Sequence, residues 1–223
     1  MLQCMRDWDH FVHQVPWFPS PADTHDVGSE QPWQRGPAPG LPELSSLLDA
    51  ATVTPVAIGD QAYELLAWGP PDNRRGWLAL PPVGPIPADV HESNRHFWTV
   101  CGGIVERFGE PPTWWNNQDE VLTMYATQTP FAPVLEDYAW LWNDDGHEIP
   151  IQPSDFYVAA IEANGNLTLA HRATGQLLLF APDHAYEGVS PLAGCPPYSL
   201  MTIDDIPDLR TWIESCVRAW KDD

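Results

Sequence analysis

The sequence predicts an α+β protein, an antiparallel sheet flanked by helices, preceded by an irregular Pro/Gly-rich arm. Three observations lead there. Short β-prone runs alternate with turn residues at 53–58, 63–68, 76–80, 157–162, 167–171 and 176–180. Apolar residues recur at helical spacing within 41–51, 88–101 and 206–220. Residues 1–40 support neither pattern for long, because Pro16, Pro19, Pro21, Gly28, Pro32, Gly36, Pro37, Pro39 and Gly40 interrupt them. Proline lacks the backbone donor and fixes φ.

In chain order, residues 1–40 are expected to form an extended arm or strap with one helical turn around Trp8–Val12, and residues 41–223 a single α+β domain. Leu41, Leu44, Leu47 and Leu48 share one face of a short helix. Val53–Ile58, Tyr63–Trp68 and Gly76–Leu80 follow as strands, separated by Gly59-Asp60 and by Pro70-Pro71-Asp72-Asn73. Pro87 opens a second helix expected over Ala88–Cys101, with Val90, Phe97, Trp98 and Cys101 on its apolar side. Gly102-Gly103 stops it through a left-handed residue. Asn164-Gly165 between Tyr157–Glu162 and Leu167–His171 favours a type I′ hairpin, since both residues tolerate positive φ. Thr174-Gly175 then leads to Gln176–Phe180 and completes a three-stranded meander. A last helix starts near Asp204-Asp205-Ile206-Pro207, with Ile206, Leu209, Trp212, Ile213, Cys216, Val217 and Trp220 inward. Its acids precede it and Arg218 and Lys221 close it, as the helix dipole prefers.

The length of 223 residues is enough to bury a core without disulfide staples. Cys4, Cys101, Cys195 and Cys216 show no paired spacing, which points to free thiols in a reducing compartment. The N-terminus lacks a basic region followed by an apolar run, and no stretch approaches the ~18 apolar residues of a membrane span. The expectation is a soluble cytoplasmic protein. The formal charge of −21 argues against nucleic acid as a partner, because phosphates must be met by Lys and Arg, and here there are ten in all.

That charge is unevenly placed. Between Phe108 and His171 there is no Lys or Arg, but there are ten carboxylates, from Glu110 to Glu162, interleaved with Trp, Tyr and Phe. Self-repulsion of this kind opposes folding, so a cationic protein partner is the reading that accounts for it. The expected partner-binding residues are Glu110, Trp114, Trp115, Asp119, Glu120, Glu136, Asp137, Asp144 and Asp145. The plain alternative is that the acids cover a solvated surface while the aromatics form the core.

Catalytic patterns are sparse. There is no Gly-x-Ser-x-Gly elbow, and Cys101 at a helix C-terminus faces a field that raises a thiol's pKa. Gly102-Gly103 lacks the turn-then-helix context of a phosphate loop. His10 and His13, like His91 and His96, do not form a His-Glu-x-x-His motif; the latter two diverge by about 140° on an ideal helix. No metal site, cofactor or catalytic residue is expected. Glu106, Glu110, Asp119 and Glu120 around Trp114 and Trp115 leave open a glycoside hydrolase or a carbohydrate-binding protein, since paired carboxylates cleave glycosides and indole faces stack on sugars.

The segment His96-Phe-Trp-Thr-Val-Cys-Gly102-Gly103-Ile104, the later Glu162-Ala-Asn-Gly165-Asn-Leu-Thr-Leu-Ala-His-Arg-Ala-Thr-Gly175-Gln-Leu-Leu-Leu-Phe, and the terminal helix with Trp212 and Trp220 resemble the SMI1/KNR4, or SUKH, superfamily. Leu80-Pro81 approximates the opening of the motif. The likeness spans Pro81 to the C-terminus, and residues 1–75 have no counterpart in it. The resemblance implies a non-enzymatic binding module similar to bacterial immunity proteins, which neutralise polymorphic toxins, often nucleases, by covering them.

Overall fold

The computed structural model describes residues 5–19, 25–114, 118–144, 146–183 and 186–221. Among them twelve strands and seven helices make an α+β protein with an antiparallel open sheet. The chain divides into two compact units: unit 1 comprises 1–85, 96–116 and 214–223, and unit 2 comprises 86–95 and 117–213.

Unit 1 holds the strands β1 (His25–Val27), β2 (Gln31–Pro32), β3 (Thr52–Ile58), β4 (Gln61–Trp68), β5 (Arg75–Ala79) and β6 (Ile104–Phe108). Their order is β1-β3-β4-β5-β6, with β2 also pairing β3. β3 and β4 are joined by the two-residue loop Gly59-Asp60, in which Gly59 takes a φ of 58°. β5 and the second half of β4 are buried on both faces. Leu65, Ala67, Leu78 and Phe108 meet Trp8 and Phe11 of α1 (Asp7–Gln14), a helix longer than the single turn expected there. On alternate positions Trp68 and Trp77 pack edge-on against each other, with centroids 4.8 Å apart, and against Trp220 of α7 (Leu209–Lys221), at 5.5 and 5.8 Å. The Trp68 indole N–H and an Arg75 guanidinium N–H both donate to the Trp220 carbonyl, which lies at the electronegative end of α7. α2 (Pro42–Asp49) begins with Pro at its first position, and the Glu214 carboxylate accepts from its Glu43 and Leu44 N–H groups.

Unit 2 holds β7 (Gln118–Val121), β8 (Phe156–Glu162), β9 (Leu167–His171), β10 (Leu177–Phe180), β11 (Val189–Pro191) and β12 (Leu200–Ile203), in the order β7-β8-β9-β10-β12-β11. The expected meander is β8-β9-β10. Its first turn differs from the expectation. Gly165 has a φ of 90° but Asn164 does not take a positive φ, as type I′ requires. Gly165 N–H donates to the Glu162 carbonyl and Glu162 N–H to that of Asn166, which closes a longer loop instead. Asn166 is drawn into this loop by its side chain, which donates to the Glu162 carboxylate at 3.0 Å.

Two helices start later than their sequence signals. α3 runs Glu92–Trp98, because the His91 ring, through Nδ1, accepts the Ser93 N–H and takes the capping role assigned to the Pro87 region. α7 begins at Leu209, where Asp208 accepts from Thr211 N–H at 2.8 Å; Asp205, at φ 59°, cannot be helical. The glycine pair after α3 is required for two separate reasons. Gly103 takes a φ of 125°, and a Cβ on Gly102 would lie 2.1 Å from the Pro81 carbonyl oxygen. Cys101, Cys195 and Cys216 are free thiols; burial pushes Cys101 up to about 12. Among the described residues no helix is long and apolar enough to cross a membrane.

Candidate functional site

The acidic, aromatic stretch of unit 2 is built by three short helices. Leu122, at φ 53°, turns the chain out of β7 while its N–H donates to the Ala159 carbonyl on β8. Thr123 then caps α4 (Met124–Gln128), its hydroxyl accepting from Ala126 N–H at 3.1 Å. Pro130 ends that helix and leads into α5 (Phe131–Asp137), which is followed by α6 (Trp140–Asn143). Ala126, Phe131, Leu135 and Trp142 face inward onto Phe156, Val158, Leu169, Leu178 and Phe180. Phe131 and Leu135 stand one helical turn apart, so Ala132, Pro133, Glu136 and Asp137 are turned to solvent while Val134 packs at the core margin.

The outward side carries Tyr125 and Trp140, 67% and 54% exposed, together with Glu136, Asp137 and Asp144. Asp119 on β7 is exposed, and Glu120 beside it is half-buried. Burial raises the Glu120 carboxyl above its ordinary value and the Asp119 charge adds to this, against a hydrogen bond from Thr123. Among the described residues, none of Asp119, Glu120, Glu136, Asp137 and Asp144 takes part in a salt bridge. Unit 2 contains 16 of the 31 carboxylates but only Arg95, Arg172 and Arg210 of the ten cations, a formal −13. Among the described residues its ion pair, Arg172 with Asp89, lies off these helices.

The remaining expected residues fall differently. Glu110 and Trp114 belong to unit 1. Glu110 lies 3.6 Å from Arg107 Nε; burial raises its pKa, Arg107 opposes that and the Glu106 charge reinforces it. Trp114 is half-buried. Trp115 and Asp145 lie outside the described residues. Glu162, counted in the acidic stretch, is only 4% exposed and serves the fold. It accepts from the Tyr186 hydroxyl at 2.6 Å, from Asn166 at 3.0 Å and from Gln118 at 3.1 Å.

Four exposed aromatics were not singled out by sequence reasoning: Tyr125, Trp140 and Tyr198 in unit 2, and Trp17 in unit 1, which is 71% exposed. The Trp17 indole N–H donates to Glu106 Oε2 at 3.2 Å, beside Glu110. Nothing in the local pattern separates Trp140 from the fully buried Trp142 two residues later. Among the described residues no group of His, Cys, Asp and Glu is arranged to hold a metal ion. What this stretch of unit 2 offers chemically is two exposed rings, Tyr125 and Trp140, and five carboxylates that form no salt bridge among the described residues. Comparison with protein-family models, curated proteins and solved structures finds no match to this chain.

Proposed function

We propose that the chain is a non-enzymatic binding module whose α4–α6 surface docks a cationic protein. One observation carries this reading: five carboxylates that form no salt bridge among the described residues, and two exposed aromatic rings, lie in the segment 119–144, which contributes no cation of its own. Long-range attraction to such a surface accelerates encounter, and Tyr125 and Trp140 are suited to be buried anchors. The β8-β9-β10 meander, the glycine pair after α3 and the closing helix α7 support a SUKH-like fold carrying an N-terminal arm. On that likeness the proposed role is an immunity protein that neutralises a basic toxin, of which nucleases are one class.

The test is binding to the product of the adjacent reading frame. Trp140→Ala is expected to raise the dissociation rate at least about tenfold, in line with loss of a buried aromatic anchor. An unchanged rate, with the fold intact by circular dichroism, counts against the α4–α6 surface. The alternative of a glycoside hydrolase or carbohydrate-binding protein draws on Trp17, an exposed indole held by one carboxylate beside another. Saturable binding of an oligosaccharide that Trp17→Ala abolishes favours that reading.

A further inference from the structure

A separate feature of unit 1 has the character of a small-molecule site. β1 pairs with the later part of β3, Val27 opposite Val56, while β2 pairs with its start, Gln31 opposite Val53. Residues 28–30 therefore stand opposite only Thr54 and Pro55, one extra residue between the two pairings, with Gly28 N–H donating to the Pro55 carbonyl. At this irregularity lies a cavity of about 420 Å³ lined by Arg6, Trp8, Val27, Gly28, Ser29, Glu30 and Thr54. Its size is at the lower end of the range for ligand pockets, which suits a small metabolite.

Two observations point to an occupant. Thr54 is 1% exposed and its hydroxyl has no hydrogen-bond partner, an arrangement that folded proteins seldom leave uncompensated. Thr54 shares a face of β3 with Val56, the face packed by Trp8 and Phe11, so its side chain points to the α1 side, where the cavity lies. The second observation is the pair of opposite charges on the rim. The Arg6 guanidinium has only a long contact to Asp9, 3.5 Å, and Glu30 has one oxygen engaged by Asp7 N–H at 2.8 Å. Arg6 and Glu30 form no salt bridge with each other among the described residues.

A ligand with one charge would satisfy one of these groups and face the other. An anion would also enter against the field of a unit with 15 carboxylates and seven cations. A zwitterion meets both groups and crosses that field without net cost. We infer that this cavity binds a free α-amino acid with an apolar side chain. Arg6 and the Thr54 hydroxyl take the carboxylate, Glu30 takes the ammonium, and Trp8 with Val27 receives the side chain.

The experiment is ligand-observed saturation-transfer NMR on the full chain, with leucine, valine and phenylalanine compared against N-acetyl-leucine and leucine amide. At least one free amino acid is expected to bind with a Kd below about 1 mM, and both blocked forms at least about tenfold more weakly. Thr54→Val removes only the unpartnered hydroxyl, so its melting temperature should hold or rise while affinity falls at least about fivefold. Glu30→Gln keeps an acceptor for Asp7 N–H and should weaken binding to a similar extent. No saturable signal at about 10 mM, equal binding of the blocked forms, or unchanged affinity in both variants overturns the site.

Discussion

Glu162 shows how much one carboxylate's meaning depends on its donors. Its oxygens take hydrogen bonds from Tyr186, Asn166 and Gln118, the first and last of which lie 24 and 44 residues away. Burial and the Glu162 charge push the Tyr186 hydroxyl up to about 12 from an ordinary value of 10.0. Because the folded state holds that proton more tightly than the unfolded chain, its contribution is fully present below pH 10 and is lost between about pH 10 and 12. Tyr186→Phe is therefore expected to lower stability at pH 7 by about 1.5–3 kcal/mol, the range for a hydrogen bond to a charged group. It should also flatten the fall in urea-unfolding free energy above pH 10. Tyr157, which burial also shifts upward, keeps part of that slope in the variant. The sequence showed Glu162 only as one more acid in a cation-free stretch. Its exclusion from the exposed set depends on contacts that no local pattern reports.

At the level of elements, legibility followed periodicity. β3, β4, β8, β9 and β10 were readable because each is a β-prone run between turn residues, and α2 and α7 because their leucines and tryptophans repeat at helical spacing. The helices α4, α5 and α6 are four to seven residues long and separated by turns, too short to show a period. β7, β11 and β12 span three or four residues each, and their pairing is set by distant partners. The same short helices hold the proposed docking surface, and α5 carries a local conflict. Glu136 and Asp137 occupy its last turn, where the backbone carbonyls already present partial negative charge. Asp137→Lys removes that conflict and should stabilise the chain by about 0.3–1 kcal/mol in urea unfolding. The same substitution should weaken binding to a cationic partner. Stability falling together with binding would show instead that Asp137 supports the fold.

For the whole molecule, one charge distribution produces two salt effects of opposite sign. A formal −21, with −13 of it in unit 2, disfavours the compact state through self-repulsion. Raising the ionic strength from about 50 to 500 mM shortens the Debye length from about 14 to 4 Å, so exposed carboxylates separated by more than a few ångströms cease to repel. The midpoint of thermal unfolding in sodium chloride should therefore rise over this range. Association with a cationic partner depends on the same field acting outward, and its on-rate should fall by at least about tenfold over the same range. A partner held mainly by apolar contacts would leave the on-rate nearly level while the melting temperature still rises. The variant Glu136→Lys/Asp137→Lys/Asp144→Lys separates surface from bulk charge: it should reduce the salt dependence of association sharply, because it removes the charges nearest Trp140 in the chain. Three reversals at the exposed acids Asp49, Asp60 and Asp72 of unit 1 should alter thermal stability alone. If both sets slow association equally, steering comes from net charge and the α4–α6 surface has no special part in it.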